Sequence, residues 1–309
     1  MYPYVVDLKT ENLVKKEDLF AYIRSNRDFI MSKIYELGAL LLRNFEIRSA
    51  DDFLEVVKLI NPSLQNYIGG DSPREKIIDN VYSSTTYPKD ATISMHHEKS
   101  YSKSYPKFLY FFCFTPPVIG GETPILDSRK LYNLLDRKLI DKFQSKKLKY
   151  VMNLHNGYGI GKSWQEVFEV TDKKSLEEVL NNLSIKYRWK LNGLLRVEEI
   201  IDPIIEHPVT HEKVFFSQAH QWHPSDLDPK VLSSLTSIIS PDDFYHNCYY
   251  GDDSEIDLED LNYVRELINQ GKVFFKWQRG DVLILDNIIS MHGRSPFDGE
   301  RKILVAMTN

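Results

Sequence analysis

His96 and Glu98 stand one residue apart in Ile93-Ser94-Met95-His96-His97-Glu98. On an extended strand successive side chains point to opposite faces, so the imidazole of His96 and the carboxylate of Glu98 share one side and His97 takes the other. A His-x-Asp/Glu pair completed by a distant histidine is the ligand set of a non-haem Fe(II) facial triad, which leaves the opposite face of the metal open. The best third ligand is His292, in the stretch that runs Gly280-Asp281-Val282-Leu283-Ile284-Leu285-Asp286-Asn287 and then Met291-His292-Gly293-Arg294. Gly280-Asp281 reads as a tight turn into a buried strand, and a Gly/Pro-rich turn and a final strand follow His292. Arg301 opens that final strand. A guanidinium there suits a bidentate grip on a small dicarboxylate beside the metal, which a lysine would hold less specifically. Arg294 faces the same side as His292 if the chain is extended, making it a candidate contact for a substrate carboxylate.

Each of these residues has a plainer reading. His96 and Glu98 alone could be an exposed strand pair, Thr123 a turn residue after Gly120-Gly121, and Arg301 a surface ion-pair partner; only their company in one chain raises them. His97 reads as a residue behind the metal ligands or on the substrate side, and a register slip of one would make it a ligand while turning Glu98 away. His207 and His211 have i, i+4 spacing, but Pro208 between them argues against the helix that a zinc pair of that kind needs. His220 and His223 read as loop or pocket-lining residues. Gly157-Tyr158-Gly159-Ile160-Gly161 lacks the spacing of a dinucleotide fingerprint. The Lys146–Lys149 cluster reads as a solvated face, and aromatic-rich Phe108–Phe114 as a core strand.

The elements that must position these residues are mostly short strands. Runs at Lys76–Tyr82, Ala91–His96, Phe108–Thr115, Thr123–Asp127, Val214–Ser217, Val273–Trp277, Val282–Leu285 and Ile303–Met307, punctuated by Gly, Pro and Asn, point to a sandwich, jelly roll or barrel. Before them, residues 17–37 carry an amphipathic helical pattern, Leu40–Phe45 a strand, and Ser49 with Asp52 a capping box. That box opens a helix with Phe53, Val56, Val57 and Ile60 on one face. Helical signals at Asp127–Asp136, Ser175–Asn182, Asp226–Ile239 and Asp257–Gln270 fill the middle, so about 130–270 reads as an insert between strand-rich halves of a single domain spanning 1–309. Tyr82-Ser83-Ser84-Thr85-Thr86-Tyr87 reads as a segment at the mouth of the site that could act as a lid.

Composition excludes several classes. A chain of 309 residues that is 42% hydrophobic can bury a sizeable core, so disorder and collagen-like repetition are out. A formal net charge of −5 with both signs interspersed gives no reason to expect a nucleic-acid partner. Cys113 and Cys248, far apart and outside any CxxC pattern, make neither a disulfide framework nor a zinc ribbon, and read as reduced thiols. No apolar run approaches a membrane span and the N-terminus has no signal-like pattern, so the expected location is the cytoplasm with no membrane partner.

Together, His96-x-Glu98, Gly120-Gly121-Glu122-Thr123-Pro124 about 27 residues later, and the C-terminal GDVLILDN…MHGR…R stretch resemble the Fe(II)/2-oxoglutarate-dependent oxygenases of the taurine dioxygenase (TauD/TfdA) family. The resemblance is strongest to its branch of syringomycin-biosynthesis hydroxylases, within the clavaminate-synthase-like superfamily. It extends from about residue 30 to the C-terminus and includes Asn156–Gln165 and Tyr249–Asp252. It implies a double-stranded β-helix, that is, a cupin-like jelly roll with flanking helices and a helical insert. It implies Fe(II) on His96, Glu98 and His292, with Thr123 hydrogen-bonding a carboxylate of 2-oxoglutarate and Arg301 pairing with its distal carboxylate. Glu98 stands where the wider family more often has aspartate, as in clavaminate-synthase-like members. Halogenases of the family lack the carboxylate ligand, so Glu98 argues for oxygen insertion or desaturation. The taurine enzyme's second arginine is replaced here by Val305, which argues against a sulfonate substrate. The implied reaction uses O2 and releases succinate and CO2. It most resembles hydroxylation of an amino-acid-like substrate, free or tethered to a peptidyl carrier protein, in specialised or antibiotic biosynthesis. Desaturation or epoxidation, or a catalytically silent jelly roll serving binding or an accessory role, are the competing readings.

Overall fold

Phe108–Thr115 is the spine of the molecule, and its alternation shows why. Phe108, Tyr110 and Phe112 point into one apolar cluster, while Leu109, Phe111 and Cys113 point into another. The flanking strands Val282–Asp286 and Lys302–Thr308 divide in the same way: Val282, Ile284, Leu304 and Ala306 go to the first cluster, and Leu283, Leu285, Ile303, Val305 and Met307 to the second. A strand buried on both faces must be apolar at every position, which is what these segments are.

The computed structural model describes residues 2–70, 72 and 74–309, with Asn192 described by its backbone alone. The spine lies in a seven-stranded sheet ordered Tyr4–Val6, Ala39–Leu42, Val282–Asp286, Phe108–Thr115, Lys302–Thr308, Val81–Ser83 and Lys76–Ile78. The helices Lys16–Leu37 and Ala50–Ile60 cover its first face with Leu19, Ile23, Ile30, Ile34, Phe53, Val56, Val57 and Ile60. Such fully buried side chains stabilise the fold by about 1.5–3 kcal/mol each. The capping box at the second helix is present: Ser49 Oγ accepts from the Asp52 amide, and Asp52 Oδ2 from the Ser49 amide. On the other face, a three-stranded sheet of Ile93–His96, Ser290–Arg294 and Ile125–Asp127 brings Ile125 into the second cluster. These two sheets are the layers of the jelly roll.

The middle of the chain is less helical than its sequence pattern indicates. Besides helices such as Arg137–Lys146, Lys173–Asn182 and Leu258–Gly271, it holds an antiparallel sheet ordered Lys186–Trp189, Leu195–Ile201, Leu148–Leu154 and His246–Tyr250. Buried Lys149, Asn153 and Arg196 interrupt the apolar alternation of these strands, and Arg196 is neutralised by Glu198 at 2.6 Å and Asp242 at 2.9 Å. Three further expectations are corrected. Lys76–Tyr82 is a hairpin of Lys76–Ile78 and Val81–Ser83, turning at Asn80, whose φ of 59° asparagine tolerates well. Val273–Trp277 forms no strand; Val273 alone bridges to Ile125. The helix expected from Asp226 starts at Pro229, capped by the Asp228 carboxylate. No helix among the described residues is long and apolar enough to cross a membrane.

Candidate metal centre and cosubstrate cleft

The three-stranded sheet places two histidines side by side. His96, the last residue of its strand, is in register with His292 on the antiparallel neighbour, and the two rings lie 4.4 Å apart. Gly293 permits the approach: a Cβ there would lie 2.7 Å from the Ile93 carbonyl oxygen. Glu98 falls just beyond the strand, in a turn, yet returns to the same side. One ligand atom from each of His96, Glu98 and His292 lies within 4.8 Å of the others, and all three residues are buried.

The surroundings of each donor suit a metal. His96 Nδ1–H donates to the Ser94 carbonyl at 2.8 Å, a bond that puts the lone pair on Nε2. Burial, then the neighbouring His96, hold the His292 imidazole well below its ordinary pKa and so neutral. Its Nδ1 is buried without a partner among the described residues. Burial alone would raise the Glu98 carboxyl, but Arg74, His96 and Tyr67 together hold it below the usual carboxylate range. Arg74 Nη2 donates to Oε2 at 2.5 Å and the Tyr67 hydroxyl to Oε1 at 3.1 Å. A carboxylate and two imidazoles, buried and convergent, fit a divalent first-row cation.

Beside this cluster a cleft is lined by Thr123, Arg301 and Arg294 together with His96 and His292. Gly120 and Gly121, at φ 68° and 67°, make the turn that precedes Thr123. At Gly121 a side chain would also strike Pro117 and Phe297 within 2.9 Å. The freed carbonyl of Gly121 accepts from Arg301 Nε at 2.9 Å. Thr123 Oγ1 accepts from Trp277 Nε1 at 3.2 Å and lies 3.4 Å from Arg301 Nη2. Burial, followed by the charge of Arg294, pushes the Arg301 guanidinium down to about 10. Its hydrogen-bond partners among the described residues are a carbonyl and a hydroxyl, not a carboxylate.

Two expected substrate contacts are differently employed. His97 does not line the cleft: it is fully buried behind the candidate ligands, with Nδ1 2.5 Å from the Asn287 carbonyl and Nε2 within 3.2 Å of Phe215 O and 2.9 Å of Ser128 Oγ. Desolvation pushes it down to about 3, so it is a neutral packing residue. Arg294 does line the cleft, but its terminal nitrogens donate to the carbonyls of Tyr87, Pro88 and Ala91. It clasps the loop leading out of Tyr82–Tyr87. His207 is structural too: its Nδ1 accepts from the Val209 and Thr210 amides, so Nε2–H donates to Asp286 at 3.0 Å. His220 bonds the Met95 carbonyl at 2.7 Å, supporting the ligand strand from behind.

Asn287 and Arg74 went unrecognised in the sequence. The Asn287 side chain accepts from the Glu98 amide at 2.8 Å and donates to the Glu98 carbonyl at 3.0 Å and the Pro106 carbonyl at 2.8 Å. An amide directly after the buried run Val282–Asp286 is the signal that could have pointed to it. Arg74, in an irregular loop, has no such signal.

The chain as a whole resembles known proteins. A family model described as "Taurine catabolism dioxygenase TauD, TfdA family" matches residues 6–308. The chain is 32% identical over 272 residues to the dapdiamide synthesis protein DdaC of Enterobacter agglomerans, covering 88% of this chain and 82% of that one. It is 29% identical over 298 residues to a clavaminate synthase-like protein of Arabidopsis thaliana, covering 92% and 86%. Among solved structures, AAD-2 in complex with Mn(II) and N-oxalylglycine superposes with a TM-score of 0.51 at 14% identity, covering 92% of this chain and 87% of that one. A putative alpha-ketoglutarate-dependent taurine dioxygenase from Burkholderia xenovorans gives 0.53 at 15%, covering 92% and 82%, a likeness of fold.

Proposed function

Because the chain belongs to the TauD/TfdA family and is an Fe(II)- and 2-oxoglutarate-dependent dioxygenase, we propose that His96, Glu98 and His292 hold the iron and that Thr123 and Arg301 hold 2-oxoglutarate. We further propose that the reaction is hydroxylation of an unactivated C–H bond in an amino-acid-like substrate, free or carried on a peptidyl carrier protein. The observation that carries the reading is the convergence of the three buried donors within 4.8 Å beside a desolvated arginine. Kinship with a dapdiamide synthesis protein supports a setting in specialised biosynthesis.

Bound iron with 2-oxoglutarate activates O2 and couples oxidation of the substrate to release of succinate and CO2. What the protein contributes is placement. Ser94 O fixes the His96 ring, Asn287 fixes the peptide of Glu98, and Trp277 Nε1 orients the Thr123 hydroxyl. Arg301 supplies a full charge in a water-poor cleft, where its attraction for a carboxylate is little screened. The apolar cluster of Phe111, Val305 and Leu285 backs the site and excludes water.

The test is release of labelled CO2 from 1-labelled 2-oxoglutarate by Fe(II)-loaded protein. Release in the wild type that falls to background in His292→Ala, at matched circular dichroism, supports the reading. Equal release from both proteins contradicts it.

A further inference from the structure

Arg74 has more buried donors left over than the other arginines of the cleft: two nitrogens, against Nε alone on Arg294, among the described residues. Its side chain is 4% exposed, and of its three nitrogens only Nη2 has a partner, Glu98; Nε and Nη1 are buried without one among the described residues. A buried donor with no acceptor destabilises a fold, and native proteins rarely tolerate two on one group. The group is also built in place: its guanidinium lies over the Tyr67 ring at 4.1 Å, and the Tyr67 hydroxyl is tied to Glu98 and to the Ser72 amide. Ser72, Ser84 and Thr85 add polar wall beside it.

Charge points the same way. Arg74, Arg294 and Arg301 all line the cleft, no lining residue is acidic, and Glu98 is the one carboxylate in an ion pair with any of the three among the described residues. A dication and the dianion 2-oxoglutarate cancel in sum, so loading them leaves this positive excess as it was. Arg301 is matched to 2-oxoglutarate in the reading above, and both terminal nitrogens of Arg294 are occupied by loop carbonyls, which leaves that guanidinium no paired donors for a carboxylate. We propose that Arg74 is the receptor for the free carboxylate of an untethered amino-acid-like substrate.

The assignment deepens the proposed function and rests on it. A guanidinium one hydrogen bond from a metal ligand holds a carboxylate close to the metal, so the carbons adjacent to that carboxylate are the ones presented. An aminoacyl thioester on a carrier has no such carboxylate to offer.

The test is calorimetric titration of the full chain, saturated with Zn(II) and N-oxalylglycine, with the common L-amino acids, their N-acetyl derivatives, their primary amides and their pantetheine thioesters. Saturating metal removes any effect of Arg74 on metal affinity. The expected result is at least one free acid bound about tenfold or more tighter than its amide and thioester, a preference lost in Arg74→Gln and partly kept in Arg74→Lys. Equal binding of acid and amide, a thioester bound best, no acid bound at all, or a preference surviving in Arg74→Gln would overturn it. The Fe(II)/2-oxoglutarate charge-transfer band of the same wild-type protein separates the two failures. A band without acid preference removes only the Arg74 assignment, whereas no band removes the function on which it rests.

Discussion

The two walls of the cleft are built by different means. The wall carrying His96, Glu98 and His292 is paired strand and the turn that directly follows it, and its polar groups are largely committed: Asn287 holds Glu98 at both backbone groups, Ser94 holds His96, and the Asp286 carboxylate caps the Ile288 and Ile289 amides while receiving His207. The facing wall, with Ser72, Arg74, Ser84 and Thr85, is irregular backbone, tied back chiefly through Arg294 and the Arg74–Glu98 pair. The contrast teaches a division of labour. In the proposed reading, the metal chemistry sits on over-determined strands and substrate choice on loops.

Breaking the strand wall gives the largest effects. His292→Ala should lower turnover by about 10³-fold or more while preserving the far-ultraviolet spectrum, because its ring holds no other side chain in place; Glu98→Ala should lower it as much and also destabilise the fold, since it strands buried Arg74. Metal analysis after desalting checks the cause. Next in size, Arg301→Ala should raise the KM for 2-oxoglutarate by about 30-fold or more, the effect of removing one partner of a buried charge pair, with Arg301→Lys recovering part. Asn287→Ala leaves the Glu98 peptide unsatisfied, so stability should fall by about 1–3 kcal/mol in urea. Metal affinity, read by Co(II) titration, should fall by about 10–100-fold.

The loop wall should respond otherwise. Arg294→Lys replaces a three-carbonyl clasp with a point charge, so limited proteolysis should speed up between Tyr87 and Ala91 while Co(II) affinity changes less than threefold. A site remote from both walls sets the lower bound. Burial alone would raise the Asp52 carboxyl, but Lys16, the Arg48 amide and the Ser49 hydroxyl together hold it below its usual range. Its stabilisation is therefore present at neutral pH and lost as pH falls through the folded value. Asp52→Asn should cost about 1 kcal/mol at pH 7 and less at pH 3, with activity unchanged.

The same division explains what was legible. The candidate ligands His96, Glu98 and His292 and the spine strands leave a local mark in strand alternation and full burial: the three residues converge, and Phe108–Thr115 and the box at Ser49 fall where their patterns place them. The insert's sheet was hidden because buried Lys149 and Arg196 break the apolar pattern that a strand would show, and although Glu198 pairs with Arg196 from the same strand, Asp242 and Asp253 reach Arg196 and Lys149 from distant parts of the chain. Arg294 shows the limit of arguing from one strand. Its face is right, but which acceptor it meets depends on the path of residues 87–91. Arg74 and Asn287 act through contacts 24 and 189 residues away in the chain, which no local spacing encodes.

The central claim is that the His96–Glu98–His292 cluster and Arg301 jointly hold iron and 2-oxoglutarate. An anaerobic visible spectrum of Fe(II)-loaded protein titrated with 2-oxoglutarate tests it most directly. The account expects a weak charge-transfer band that is absent in His292→Ala and requires more 2-oxoglutarate in Arg301→Ala. Iron bound at one equivalent with no band, or a band indifferent to both substitutions, would contradict it.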